Sequence, residues 1–145
     1  MLFFDKKKKI LETIIFYWLP VVGWVAVIFL LSSIPNLFKT LPLIESPGQT
    51  ETSILNLILR KTFHAFEYFI LAILLARVIY RQFPKIKMTP RIGLMIAIIV
   101  SVIFAGLDEY WQSHIPDRWG AYFDVQFDAV GSMLAYLFLG SRSIK

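Results

Sequence analysis

Four apolar runs set the pattern of this chain, and polar, proline-bearing stretches separate them. They cover about 10–31, 61–80, 91–111 and 121–140. Each is close to the roughly 20 residues a helix needs to cross a hydrocarbon core roughly 30 Å thick. The pattern therefore predicts an all-α fold: a polytopic membrane protein with four transmembrane helices in a bundle, all within one domain, 1–145. Pro20 lies inside the first run and predicts a kink there. Pro35, Pro42, Pro47 and Gly48 make 32–52 an exposed loop. Ser53 is a candidate helix cap, and about 53–60 reads in two ways. It is either a short extra helix at the membrane surface or the first turns of a long second helix. The basic segment 77–91, with Pro84 and Pro90, reads as a loop. Lys6 to Lys9 before the first run also suit a signal peptide, but the run is too long, holds Pro20 and lacks a small-x-small cleavage site before Ser32. A retained first helix is expected.

Composition agrees. The chain is 57% hydrophobic with mean hydropathy +0.65, more apolar surface than a soluble domain of this size could bury. It has no cysteine, which excludes disulfides and thiolate metal sites. A net charge of +5 would suit nucleic acid, but the basic residues sit beside apolar runs, where they act as topology signals. The N-terminal tail, the second-to-third loop and the C-terminal tail hold eleven of the fifteen lysines and arginines, while eight of the ten acids lie on the other side. The positive-inside rule then puts both termini in the cytoplasm. The expected partners are the lipid bilayer and no nucleic acid.

The candidate chemistry lies at the opposite ends of the runs. Counting 20 residues along each span brings His64 and Glu67, then Asp108 and Glu109, then Asp124 and Asp128 to one outer layer. An acid at the bilayer centre costs about 2.5–3.5 kcal/mol on insertion scales, and less near the interface. Lys61, His64 and Arg118 are available partners. Arg118, on the short link after Pro116, could grip Asp108 or Asp124 with its planar fork, or bind a phosphate or carboxylate ligand. Gln112 is a further polar candidate. Gly131 and Ala135 continue the Asp124–Asp128 face and predict close packing on a neighbour. Tyr110, Trp111, Trp119 and Tyr122 fit an interfacial aromatic belt.

Three plainer roles compete. Asp124 and Asp128 could only pair with Arg118 and Lys61 and lock the bundle. The buried acids could carry protons, although no polar trail continues inward. His64 and Glu67 could bind a metal with Asp108 or Asp128, but the only other histidine, His114, lies in the link, so no metal and no cofactor is expected. Ser32 and Ser33 read as interfacial polar residues with no base beside them, and Glu109 as a residue that can face solvent.

Asp108-Glu109-x-x-Gln112, Pro116-x-Arg118, Asp124, Asp128 and Gly131 together resemble the signature of the VanZ-like membrane proteins. Ser32-Ser33-x-Pro35 and Lys61-x-x-His64 with Tyr68 resemble its other motifs. The resemblance covers roughly 29–140. Asp128 departs from the family's usual asparagine and Asp117 from its usual glycine. The resemblance implies a multi-pass protein of the bacterial cytoplasmic (inner) membrane, connected to the cell envelope. The family is named for a protein that accompanies glycopeptide resistance and reduced teicoplanin susceptibility, and resistance reaches this chain by analogy alone. The expectation is an accessory protein whose outward polar pocket, built from Lys61, His64, Glu67, Asp108, Glu109, Gln112, Arg118, Asp124 and Asp128, binds an envelope lipid, a lipid-linked precursor or a partner membrane protein. The alternative is an intramembrane hydrolase or transferase acting on lipid phosphates or lipid-linked glycans. There Asp108, Glu109, Asp124, Asp128 and His64 are the candidate acids and bases.

Overall fold

The computed structural model describes residues 2–34, 49–82, 89–115 and 124–140. All regular structure among them is helical. α1 (Leu2–Thr13) passes through a π-helical turn, Ile14–Trp18, into α2 (Leu19–Ser32). α3 spans Gln49–Gln82, α4 Pro90–Gln112 and α5 Asp124–Gly140. Three stretches are long and apolar enough to cross a membrane: Lys7–Ser32, Ile58–Gln82 and Arg91–Gln112. The described part of α5 has 17 residues, about 26 Å of helix; the rest of the expected fourth run, 121–123, lies outside the described residues.

Several boundaries differ from the sequence reading. Of the two readings of 53–60, the structure takes the second, the first turns of a long helix, and that helix begins earlier still, because α3 is continuous from Gln49. Gln, Thr and Glu at its start carry no apolar signal but are tolerated in a helix, so hydropathy alone ended the span too early. Helix α3 also continues through Gln82, past the loop expected from Arg77. α4 starts at Pro90, preceded by extended Thr89; a first-turn proline has no intrahelical N–H to lose. At Pro20, where a kink is expected, the chain shows a π turn immediately upstream. Proline removes one N–H and its ring crowds the carbonyl four residues back, and a wider turn at that point relieves both.

Helices α3, α4 and α5 pack against one another, while the π turn and α2 lie against α3, and α2 also against α4. The core holds Tyr68, Leu71, Leu75 and Val78 of α3, Leu94, Ala97 and Ala105 of α4, and Ala135 of α5, closed by Val21 and Ile28 of α2. α5 approaches α3 closely at Gly131, where a Cβ would run into the Ala65 carbonyl. The outward faces keep large apolar side chains exposed, among them Phe16, Leu30, Ile99, Ile103, Met133 and Leu137. A surface this apolar is the kind that a bilayer solvates and water does not.

The ends of the helices alternate. Ser32, at the end of α2, meets Asp108 and Gln112 near the end of α4. Lys61, early in the apolar part of α3, meets Asp124 at the start of α5. Lys9 and Gln82 line one recess at the opposite end. One end of the bundle therefore gathers acids with a few cations, and the other gathers basic residues.

Candidate functional site

The acid-bearing end is built from all four packed segments. α3 contributes Arg60, Lys61, His64 and Glu67, α4 Asp108, Glu109 and Gln112, α5 Asp124 and Asp128, and α2 Ser32. His64, Glu67, Asp108, Glu109, Gln112, Asp124 and Asp128 are all buried. Helical spacing accounts for each pair on one face: His64 with Glu67, Asp108 with Gln112 and Asp124 with Asp128 lie three or four residues apart.

Two groups of contacts order this layer. On one side, the Ser32 hydroxyl donates to Asp108 Oδ2 at 2.7 Å. Gln112 Nε2 donates to the same oxygen at 2.7 Å and to Ser32 Oγ at 3.2 Å. Nearby, Trp111 Nε1 donates to Ser33 Oγ at 2.9 Å. These bonds tie α2 to α4. On the other side, Arg60 pairs with Asp124 Oδ2 at 3.1 Å and Lys61 with Asp124 Oδ1. The Lys61 ammonium also lies 4.3 Å from the centre of the Phe127 ring, where the π face attracts a cation. Between the two groups, His64 Nδ1 lies 3.4 Å from Glu67 Oε2 and 3.9 Å from Asp128 Oδ1.

Asp128 is the most enclosed of the α5 acids, only 1% exposed. Its Oδ1 accepts no hydrogen bond from any described residue. An ionisable oxygen is costly in such a place unless a donor meets it. Deeper in the bundle, contrary to the expectation that no polar trail continues inward, a small polar belt follows, because serines on neighbouring helices meet there. Ser132 Oγ donates to the Asp128 carbonyl at 3.1 Å and lies 2.9 Å from Ser101 Oγ. Ser101 in turn reaches the Tyr68 carbonyl at 3.3 Å. Trp24 Nε1 donates to the Glu67 carbonyl at 2.9 Å, which fastens α2 to α3.

Of the residues singled out in the sequence, the structure gathers Lys61, His64, Glu67, Asp108, Glu109, Gln112, Asp124 and Asp128 at one end. Arg118, with Pro116, Asp117, Trp119 and Tyr122, lies outside the described residues. Glu109 is buried, unlike the solvent-facing role read for it, because it shares α4's inner face with Asp108. Ser32 is not an interfacial bystander: it is buried and has a carboxylate within hydrogen-bond reach. Its partner is 76 residues away in sequence, so local reading could not find it. Arg60 was also missed as a partner of Asp124; its place beside Lys61 was the available signal. Ser132 was a further missed residue, although it follows Asp128 by one helical turn. Among the described residues, no set of three or more His, Asp or Glu side chains is placed to hold a metal ion.

The arrangement can do two things chemically. Arg60 and Lys61 can meet an anionic group, and the carboxylates can accept hydrogen bonds from hydroxyl or ammonium groups. Comparison with known proteins returns no significant match among curated proteins and none among solved structures. A family model described as VanZ/LLP1 matches residues 10–141, nearly the whole chain and every described residue of the layer, and the chain belongs to that family.

Proposed function

We propose that this VanZ-like membrane protein spans the bacterial cytoplasmic membrane four times with both termini in the cytoplasm, and that it acts as an envelope accessory protein. Its acid-bearing layer faces outward and holds the polar head of an envelope lipid or a lipid-linked precursor. One observation carries this reading: Asp128, buried among ionisable groups from three helices, keeps an acceptor oxygen that no described residue satisfies. A bundle that needed only a structural lock would be served by the pairing of Asp124 with Arg60 and Lys61. A ligand hydroxyl or ammonium would complete Asp128, while its phosphate would meet Arg60 and Lys61, with Arg118 a further expected partner. A partner membrane protein offering the same groups is the other occupant that this chemistry accommodates.

The test is binding of labelled lipid-linked cell-wall precursor to the purified protein. Binding should fall in both Asp128→Ala and Lys61→Gln variants that elute as folded protein. Unchanged binding in both would remove the reading.

A second reading has its own observation. Asp108 lies 2.7 Å from the Ser32 hydroxyl, close enough to accept its proton as the oxygen attacks. That geometry suits an intramembrane hydrolase or transferase working on lipid phosphates or lipid-linked glycans. Product formed by the parent protein and lost in Ser32→Ala would favour it. Binding without product in the same samples would favour the accessory role.

A further inference from the structure

The basic end of the bundle carries a feature that the acid-bearing layer does not explain. A recess of about 300 Å³ lies between the first helix and the end of α3, lined by Lys9, Ile10, Thr13, Ile14, Trp18 and Gln82. Its walls are mixed. Ile10 and Ile14 expose apolar surface, while Lys9, Thr13 and Gln82 offer polar groups. The π turn Ile14–Trp18 runs along it. One extra residue in a turn rotates everything before it by roughly 100° relative to an unbroken α-helix. That turn also carries Tyr17, whose ring lies 5.8 Å from the Arg77 guanidinium and 5.7 Å from that of Arg81. Both arginines remain exposed, and the only acids in the adjoining sequence are Asp5 and Glu12, against the lysine run 6–9.

From this we infer that the recess is a binding site for the head group and upper acyl chain of an anionic phospholipid. The occupant must be amphipathic, because the recess presents isoleucines beside a lysine and a glutamine. It must be anionic, because Lys9 lines the recess and Arg77 and Arg81 sit at Tyr17 of the turn that runs along it. Its place at the ends of two apolar spans sets the depth at which phosphates lie, and basic pockets between spanning helices are suited to such head groups. The Tyr17 ring attracts both guanidinium groups, which lowers the cost of ordering them. The inference rests on reading that end as a membrane boundary, which cysteine labelling tests separately.

The experiment titrates the detergent-purified full chain with dioctanoyl phosphatidylglycerol or dioctanoyl phosphatidylcholine and counts bound lipid by native mass spectrometry. The anionic lipid should bind roughly tenfold or more tightly than the zwitterionic one, because basic residues near the surface attract its phosphate. Arg77→Gln with Arg81→Gln should abolish that preference, and Lys9→Gln alone, which leaves the Tyr17 contacts in place, should reduce it. A charge-matched variant, Lys7→Gln with Lys8→Gln, should keep it. Equal loss in the charge-matched variant would mean diffuse attraction and would overturn the site. So would equal binding of the two lipids, or displacement of the lipid by inorganic phosphate at comparable concentration.

Discussion

Ser32 holds two helices together through a single buried hydroxyl, so its removal has a definite expected cost. Ser32→Ala leaves Asp108 Oδ2 with Gln112 as its one remaining donor of that pair. A buried acceptor that loses a partner costs about 1–3 kcal/mol. Thermal unfolding in mild detergent should show that loss. The double variant Ser32→Ala with Asp108→Ala should cost less than the two single changes combined, by about 0.5–3 kcal/mol, because each single change already breaks the shared bond. Additive losses would mean that the bond contributes nothing. Asp124 calls for different arithmetic. It has two cations, and Arg60 is partly exposed, with about a third of its side chain accessible. Arg60→Gln alone should therefore cost under about 1 kcal/mol. Changing Arg60 and Lys61 together should cost about 3–5 kcal/mol, since it strips a buried carboxylate of both described counter-charges.

Among the helices, the contact of α5 with α3 is the least forgiving. A methyl group on Gly131 would enter the Ala65 backbone, and backbone cannot rotate away as a side chain does. Gly131→Ala should abolish the folded peak in size-exclusion chromatography. Gly106→Ala should leave it intact, because a Cβ there meets nothing within 4 Å. Equal behaviour of the two would show that α5 does not sit against α3 at this register. The sequence announced this contact through Gly131 and Ala135 on the acid-bearing face of one helix. It also announced four spans, and three of them are helices long and apolar enough to cross a membrane, because long apolar runs leave helices as the way to satisfy the backbone in lipid. What it did not announce is equally physical. The start of α3 at Gln49 is polar and helix-compatible, so hydropathy has no edge to mark. The π turn before Pro20 adds no residue type that differs from an α-helix. The Ser32–Asp108 pair and the pairing of Arg60 with Asp124 join distant segments, and periodicity within one helix carries no information about which neighbour a face will meet. Asp128 was read from spacing, but its enclosure and its unsatisfied oxygen depend on three helices at once.

The whole bundle has two chemically different ends, and their sidedness is the consequence that reaches furthest. Basic residues outside the spans are retained on the cytoplasmic side because moving them across the membrane is unfavourable. The end bearing Lys9 and Gln82 is therefore expected inside, and the end bearing Ser113, one residue past α4, outside. The chain has no cysteine, so single substitutions give an unambiguous readout without a background to remove. Lys8→Cys and Gln82→Cys, both at exposed positions, should resist a membrane-impermeant maleimide applied to intact spheroplasts and react once the membrane is opened. Ser113→Cys, also exposed, should react before opening. This outcome would put the layer that holds Asp128, Lys61 and Ser32 on the envelope side, as the proposed function requires. The reverse pattern would turn the acid-bearing layer toward the cytoplasm, and the outward-facing accessory reading would have to give way to a cytoplasmic-leaflet one. If Lys8→Cys and Gln82→Cys reacted from opposite sides, the shared recess between the first helix and α3 could not exist, and the packing of that helix would fall with it.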